Sequence, residues 1–110
     1  MIARVWTALA TRRNAAAYRE HFEAAVVPRL RMLDGYAGGS LLTLEEGDDT
    51  NIIVVTRWRS IEAIHAFAGD DVEAAVVAES ARRLLLSWDP RVRHYTVTVE
   101  DSPDPDIRGE

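Results

Sequence analysis

The sequence predicts an α+β fold of the ferredoxin-like type, with the element order βαββαβ and a four-stranded antiparallel sheet. Two observations predict it. Four runs of β-forming residues alternate with segments in which apolar residues recur every three or four positions. A turn at residues 47–50, Gly-Asp-Asp-Thr, separates the second and third runs as the loop of a hairpin. Right-handed crossovers then order the strands 4-1-3-2 in space.

The first half of the chain is expected to form one strand and one interrupted helix. Residues 2–9 are rich in β-forming side chains, and Asn14 is the expected N-cap of the helix. The helix carries one apolar stripe, formed by Tyr18, Phe22, Ala25, Val26, Leu30 and Leu33. Pro28 lacks a backbone N–H, which predicts a kink or a restart near Val27, and Gly35 is placed to end the helix.

The second half is expected to complete the sheet. Its predicted elements are strands at residues 36–46 and 51–59, a helix at 61–68, helical pieces at 72–77 and 81–86, and a last strand at 91–100. Ser60 is the expected cap of the first of these helices. Pro90 should end the helical pieces, because a proline disfavours helical backbone at the preceding Asp89.

Composition limits the classes of function. The 110 residues and 47% apolar content fit one domain, predicted at residues 1–100. Cysteine and lysine are absent, which excludes disulfides, cysteine nucleophiles and lysine Schiff bases. No run approaches the roughly 18 apolar residues of a membrane span, and the start has no signal-peptide pattern. The sequence therefore predicts a cytoplasmic protein without a membrane partner.

The net charge of −5 is concentrated at the end of the chain. Residues 100–110 contain five acids and one arginine, a net charge of −4, so that residues 1–99 carry only −1. A nearly neutral body argues against nucleic-acid binding, which needs a concentrated basic patch. Residues 101–110, with two prolines among the acids, are predicted to form a disordered tail.

A homodimer is expected from the third strand. Residues 52–55, Ile-Ile-Val-Val, are apolar without alternation, which indicates burial on both faces of the sheet. The second strand adds Leu41, Leu42 and Leu44. The helices of a ferredoxin-like fold cover one face only, and a second subunit is the simplest cover for the other.

Strand alternation indicates a cavity near the first and last strands. If Val5 and Leu9 face the helices, Arg4 and Trp6 face the other side of the sheet, and the neighbouring last strand contributes His94. Apolar walls with a few polar groups are typical of ligand cavities. In the alternative interpretation, Trp6 packs at the dimer interface and His94 is a hydrogen-bonded interior histidine.

Further aromatic residues are candidates for the walls of this cavity. Trp58 ends the third strand, and Phe22 and Phe67 lie on the apolar sides of their helices; plain core packing is the alternative role for Trp58. His21 and His65 are expected at the surface. No two of the three histidines have chelating spacing, and the chain has no glycine-rich phosphate loop and no G-x-S-x-G motif, so neither a metal nor a cofactor is expected.

Several motifs resemble the antibiotic biosynthesis monooxygenase family over roughly residues 3–99. They are Ala3-Arg4-Val5-Trp6, Val27-Pro28-x-Leu30 with Gly35-Tyr36, Trp58-x-Ser60-x-Glu62-Ala63, Ala66-Phe67-Ala68-Gly69, and Val92-x-His94-Tyr95-x-Val97. The resemblance implies a dimeric α+β barrel. It also implies oxidation of quinol-like or polycyclic aromatic compounds without metal or flavin, or, in another branch of the family, degradation of haem.

The residues that distinguish these branches are only partly present. Phe67 and Val77 stand where the haem-degrading branch has a tryptophan and a histidine, and the first strand lacks its asparagine. Val54 and Ile64 stand where the cofactor-free aromatic oxygenases have an asparagine and a tyrosine, whereas Trp58 matches their strand-end tryptophan.

The resulting hypothesis is a cofactor-independent monooxygenase that acts on a small aromatic, phenolic or quinol-like compound. His94 would act as the base, Arg4 would stabilise the developing oxyanion, and Trp6, Trp58, Phe22 and Phe67 would contact the substrate. Two alternatives stay open. One is a non-catalytic ligand-binding or stress-related dimer, and the other is an isomerase, cyclase or lyase that uses His94 for proton transfer.

Overall fold

A computed structural model of the chain describes residues 1–103. The remainder of the predicted acidic tail lies outside the described residues. The elements, in chain order, are β1 (Ile2–Thr11), α1 (Arg12–His21), a π-helical segment (Phe22–Val26), α2 (Val27–Arg31), β2 (Tyr36–Glu46), β3 (Asp49–Trp58), α3 (Ile61–Ala68), α4 (Glu79–Arg82), β4 (Ser87–Trp88) and β5 (Arg93–Thr96).

The predicted ferredoxin-like sheet and its strand order are confirmed. Strand β1 lies in the centre and pairs antiparallel with β3, which pairs in turn with β2 through the expected hairpin. On its other edge β1 pairs with β4 and then with β5. The strand at this edge is therefore interrupted, whereas one strand at residues 91–100 was predicted.

Proline explains the interruption between β4 and β5. Pro90 has no N–H to donate to a neighbouring strand. Two residues later, the N–H of Val92 donates to the carbonyl of Glu73 at 2.8 Å instead of to β1. The chain rejoins β1 only at Arg93, which is paired with Val5.

The sequence placed one helix cap correctly and one incorrectly. Ser60 caps α3 as predicted, because its Oγ accepts a hydrogen bond from the N–H of Ala63 at 3.2 Å. The cap of α1 is Thr11 and not Asn14. The extended Thr11 ends β1, and its Oγ1 accepts from the N–H of Asn14 at 3.2 Å, so that the helix begins three residues earlier than expected.

The predicted restart at Val27 is confirmed and takes the form of a π-helical turn. Pro28 lies in the first turn of α2, where its missing N–H breaks no helical hydrogen bond. The preceding segment widens by one residue, and the N–H of Val27 donates to the carbonyl of Phe22, five residues earlier. The three segments α1, π-helix and α2 thus continue as one irregular rod across the sheet.

One predicted helical piece is wrong, and the other is shifted and shortened to α4. Residues 72–77 form no helix, because Ala74 bridges to Arg91 and Ala75 donates its N–H to the carbonyl of Pro90. Valines also favour extended backbone here. Helix α4 is shorter than residues 81–86 because the N–H of Leu86 donates to the carbonyl of Leu9 at 2.8 Å, which draws the chain into the sheet.

The expected direction of the β1 side chains is also wrong. Arg4, Trp6, Ala8 and Ala10 are buried against the helices, and Val5 lies on the opposite face. The small Ala8 and Ala10 permit close approach of α1, whose Ala15 and Tyr18 join the same core cluster. Because the alternation has a period of two, the correction moves every candidate on β1 to the helical side.

A second cluster packs under α2 and α3. Trp58, Leu30 and Ile64 are almost completely buried there. The indole N–H of Trp58 donates to Oγ1 of Thr56 at 2.8 Å, which satisfies its one polar group. No helix within residues 1–103 is long and apolar enough to cross a membrane.

Glycine at position 35 should be required by both backbone and packing. Its φ is +87°, and an added Cβ would lie 2.4 Å from the Cβ of Ala63. Gly47 also has a positive φ, +61°, but an added Cβ would meet nothing within 4 Å. Gly47→Ala should therefore cost about 1–2 kcal/mol of backbone strain, and Gly35→Ala should cost roughly 1–3 kcal/mol more through overpacking.

Denaturant unfolding of the two variants measures this difference directly. The two substitutions share the left-handed backbone and differ in the available space, so Gly47→Ala is the matched control. Equal losses of unfolding free energy would contradict the proposed contact between residue 35 and α3.

Candidate functional site

A cavity of about 180 Å³ lies between the helical face of the sheet and the rod formed by α1, the π-helical segment and α2. Its sheet side consists of β1 and β3, which contribute Arg4, Trp6, Val54 and Thr56. The non-helical segment at residues 76–78 and Ala81 of α4 close another side. The failure of residues 72–77 to form a helix thus shapes the wall of the cavity.

Arg4 is the most constrained polar group in this cavity. It is 4% exposed, and its guanidinium donates to the carbonyl of Val72 and, at 2.7 Å, to that of Ala74. Its carbon Cζ lies 5.6 Å from the centre of the Phe67 ring. Burial lowers the pKa of Arg4 to about 10, so the side chain is still a cation at neutral pH.

The buried cation has no carboxylate partner among residues 1–103, where each ion pair involves other arginines. Three of its five N–H groups are used, and Nε has no hydrogen-bond partner in this part of the chain. Every fully enclosed side-chain nitrogen or oxygen there has a partner. The Nε–H of Arg4 is therefore not fully enclosed by the described residues.

The structure brings His94 next to Arg4, its partner across the β1–β5 ladder. Nε2 of His94 lies 3.0 Å from Nη1 of Arg4. Since a guanidinium only donates, Nε2 accepts this hydrogen bond, and the imidazole is neutral with its proton on Nδ1. Burial, and then the charge of Arg4, lower the pKa of His94 against a weaker opposing effect of Glu73.

His94 does not line the cavity and lies behind Arg4. Its Nε2 lone pair is engaged by the guanidinium, so it is not free to accept a proton from a bound molecule. What the imidazole does in this arrangement is hold Arg4. His94, the residue expected as the base, therefore lies where it positions Arg4, the residue expected to stabilise the oxyanion.

Three of the four predicted aromatic residues line the cavity, and one does not. Trp6, Phe22 and Phe67 are in its wall, and the Trp6 indole N–H is held by the carbonyl of Asp89 at 2.9 Å. Trp58 lies outside the lining. It stacks behind Phe67, with ring centres 5.7 Å apart.

Sequence reasoning missed Tyr18 and His21, which also line the cavity. Tyr18 is 6% exposed, its ring centre is 6.0 Å from that of Trp6, and its Oη has no hydrogen-bond partner among residues 1–103. Burial raises the pKa of Tyr18 to about 12, which keeps the hydroxyl protonated and able to donate. The available signal was the helical spacing of Tyr18, His21, Phe22 and Ala25, which places all four on one side of the rod.

The polar lining contains cations and hydroxyls but no acid. Arg29 of α2 lines the mouth, with its Cζ 5.6 Å from the centre of the Phe67 ring. No aspartate or glutamate is in the lining, although the chain has 18 acids. Within residues 1–103 no group of three or more histidines and acids is arranged to hold a metal ion.

Neutral His94 should make stability depend on pH. The pKa of His94 is lower in the folded protein than the ordinary value of 6.5 for histidine. As the pH falls below 6.5, the unfolded chain therefore binds a proton at His94 more readily than the folded chain does. The stability from neutral His94 is therefore complete above that pH and is lost below it. His94→Gln retains an acceptor for Arg4 without a titrating group, and urea unfolding between pH 5 and pH 7 should show a smaller decline than the wild type shows. Superimposable pH profiles would contradict the neutral assignment.

The sequence matches no family model and no curated protein sequence. The fold, however, matches solved structures over nearly the whole chain. A candidate antibiotic biosynthesis monooxygenase from Bacillus cereus aligns with a TM-score of 0.65 and 15% identity, covering 93% of this chain and 97% of that one.

Two structures from Mycobacterium tuberculosis show the same similarity. The protein Rv0793 aligns with a TM-score of 0.61 and 20% identity, covering 92% of this chain and 98% of its own. The haem-degrader MhuD, solved with two haems in its active site, has the same TM-score and identity, with 93% and 100% coverage. The likeness first indicated by short motifs is thus confirmed for the architecture, and this chain has the ferredoxin-like α+β fold of the antibiotic biosynthesis monooxygenase structures.

Proposed function

We propose that the protein binds a small phenolic or quinol-like aromatic compound in this cavity and oxidises it with dioxygen, as a cofactor-independent monooxygenase. The observation that carries the proposal is a buried guanidinium without a carboxylate partner in residues 1–103, set in an apolar cavity with aromatic walls. Similar folds described as monooxygenases support it.

The size of the cavity favours a small ligand. Its volume of about 180 Å³ is below the roughly 300–1,000 Å³ of pockets for drug-sized molecules. Trp6, Phe22 and Tyr18 offer ring surfaces on which a planar aromatic ring system can pack.

Arg4 would favour the ionised form of such a ligand. A phenol or an anthrone must lose a proton before it can donate an electron to dioxygen, and a nearby cation stabilises the resulting oxyanion. In the overall reaction the substrate supplies the electrons, one oxygen atom enters the product, and the other leaves as water. Anthrone and dioxygen, for example, give anthraquinone and water.

The proton would go to His21 rather than to His94. His21 lines the cavity three residues from Tyr18, with the two ring centres 5.9 Å apart, whereas Nε2 of His94 already accepts from Arg4. The protonated Tyr18 would donate to the developing oxygen anion. His94 thus has a positioning role in this proposal, and Trp58 supports the Phe67 wall from behind.

Haem is not the ligand that this site fits best. The MhuD structure contains haem, but a porphyrin far exceeds the present cavity of about 180 Å³. Phe67 and Val77 also occupy the positions of the tryptophan and histidine that the resemblance associates with haem degradation. We therefore derive no step through haem.

One observation favours a second candidate, a ligand-binding dimer without turnover. The imidazole nearest Arg4 has its lone pair engaged, so proton transfer depends on His21 at the cavity mouth alone. The same ligand would then bind in the same cavity and be released unchanged.

Oxygen uptake with a panel of hydroquinones and anthrones distinguishes the two candidates. We expect uptake with one atom of ¹⁸O from labelled dioxygen in the product. Tyr18→Phe keeps the ring and removes only the donor, and it should lower the turnover rate by on the order of 10²-fold with little loss of stability. Tyr95→Phe, on the opposite face of the sheet, is the matched control. Ligand binding without uptake would support the second candidate and contradict the first.

The uncovered face of the sheet supports the proposed homodimer. Leu42 is 47% exposed and Leu44 is 61% exposed there, Ile53 and Tyr95 lie on the same face, and no helix in residues 1–103 covers them. This is the face opposite the cavity. Pairing two such faces would bury on the order of 2,000 Å² in total, the size of an obligate interface.

Sedimentation at low micromolar concentration tests this association. The wild type should sediment as a dimer, and Leu44→Glu should shift it toward monomer, because two charges would enter an apolar interface. Met32→Glu, at a residue that is 86% exposed outside this face, should remain dimeric. A monomeric wild type at that concentration would exclude the dimer.

A further inference from the structure

We propose that the ligand is an aromatic acid: a phenolic ring whose oxygen faces Arg4 and whose carboxylate binds Arg29 at the cavity mouth. This inference rests on the ligand-binding part of the proposed function and specifies its substrate class. A ligand with both a phenolic oxygen and a carboxylate needs a second cation besides Arg4, and Arg29 in the same lining is that cation.

The first step of the argument is the charge of the lining. Arg4 and Arg29 both line the cavity, and no aspartate or glutamate does. The chain as a whole has a net charge of −5, whereas the ionisable side chains of the cavity lining include two arginines and no acid. A neutral ligand would leave both arginines without an anionic partner, whereas an anion would supply one.

The second step is that both cations contact the same side chain. Cζ of Arg4 and Cζ of Arg29 each lie 5.6 Å from the centre of the Phe67 ring, one reaching it from β1 and the other from α2. Arg29 makes no ion pair with any acid in residues 1–103. Its position thus depends on an aromatic contact that leaves its hydrogen-bond donors available.

The third step is the difference in depth between the two cations. Arg4 is 4% exposed, and neither its Nε–H nor the hydroxyl of Tyr18 has a hydrogen-bond partner in residues 1–103; both residues line the cavity. Arg29 is exposed at the mouth. A strongly hydrated carboxylate is less costly to bind at the mouth, and the less hydrated phenolic oxygen suits the interior. The Phe22 and Trp6 rings lie in the wall of the same cavity, where the aromatic ring would bind.

Calorimetric titration with 4-hydroxybenzoate and its neutral analogue 4-hydroxybenzamide tests the assignment. The two probes have the same shape and differ in charge. The acid should bind at least about tenfold more tightly, the factor that corresponds to 1.4 kcal/mol from one charge-assisted contact. Arg29→Gln should abolish the preference by weakening the acid alone, since a structural effect would weaken both probes.

Arg31→Gln is the matched control, because Arg31 lies on α2 two residues away and does not line the cavity. It should retain the tenfold preference. Equal binding of the two probes, or a preference that survives in Arg29→Gln, would overturn the aromatic-acid assignment and leave the proposed function in place. Binding of neither probe would overturn both.

Discussion

The structure around the cavity depends on the burial of one cation, Arg4, without an opposing carboxylate in the described residues. Its charge is compensated instead by the carbonyls of Val72 and Ala74, the Nε2 lone pair of His94 and the face of Phe67. These partners lie on different segments. The guanidinium therefore joins the sheet, the non-helical connection and α3, and each of them must be in place for the cation to be tolerated.

The hydrogen bonds of Arg4 explain why residues 72–77 form no helix. A helix at residues 72–77 would use its carbonyls within the helix, and Arg4 would then lose acceptors for a buried charge. The connection instead stays non-helical, and its later residues Val77 and Ala78 close the cavity. On the opposite side, Pro28 enforces the π-helical turn that places Phe22, Ala25 and Val26 in the wall. The cavity is thus bounded by two departures from regular helix.

The electrostatics of the site also differ from those of the surface. Four surface arginines in residues 1–103 pair with acids, as Arg91 does with Asp71 and Glu73, and solvent screens such exposed pairs. The cavity arginines contact backbone carbonyls and an aromatic ring. The charge of the buried Arg4 is therefore less screened than that of an exposed arginine, because the dielectric around it is lower than that of water. The proposed recognition of an anion rests on this difference, whether or not the bound molecule is oxidised.

Local sequence signals were sufficient for the architecture. Ser60 identified the start of α3, Gly47 the hairpin, and Pro28 the helix restart, because each acts through a backbone requirement that is independent of distant residues. The βαββαβ order and the handedness of its crossovers then left one sheet order. Thr11 displaced Asn14 as a cap because both residues suit that role and only the end of β1 chooses between them.

The residues of the cavity were less predictable because β1 is apolar on both faces. Val5 and Leu9 on one side, and Trp6 and Ala8 on the other, are equally suited to face the helices, and the alternation contains no information about which side does. The packing of α1 on Ala8 and Ala10 determines which face of β1 is covered by helices. It also places Tyr18 and His21 in the lining of the same cavity as Arg4. The pairing of Arg4 with His94 followed from strand order. Their hydrogen bond occupies the Nε2 lone pair of His94, so this nitrogen is not free to accept a proton from a bound molecule. That bond depends on a distance between two side chains that only the folded chain defines.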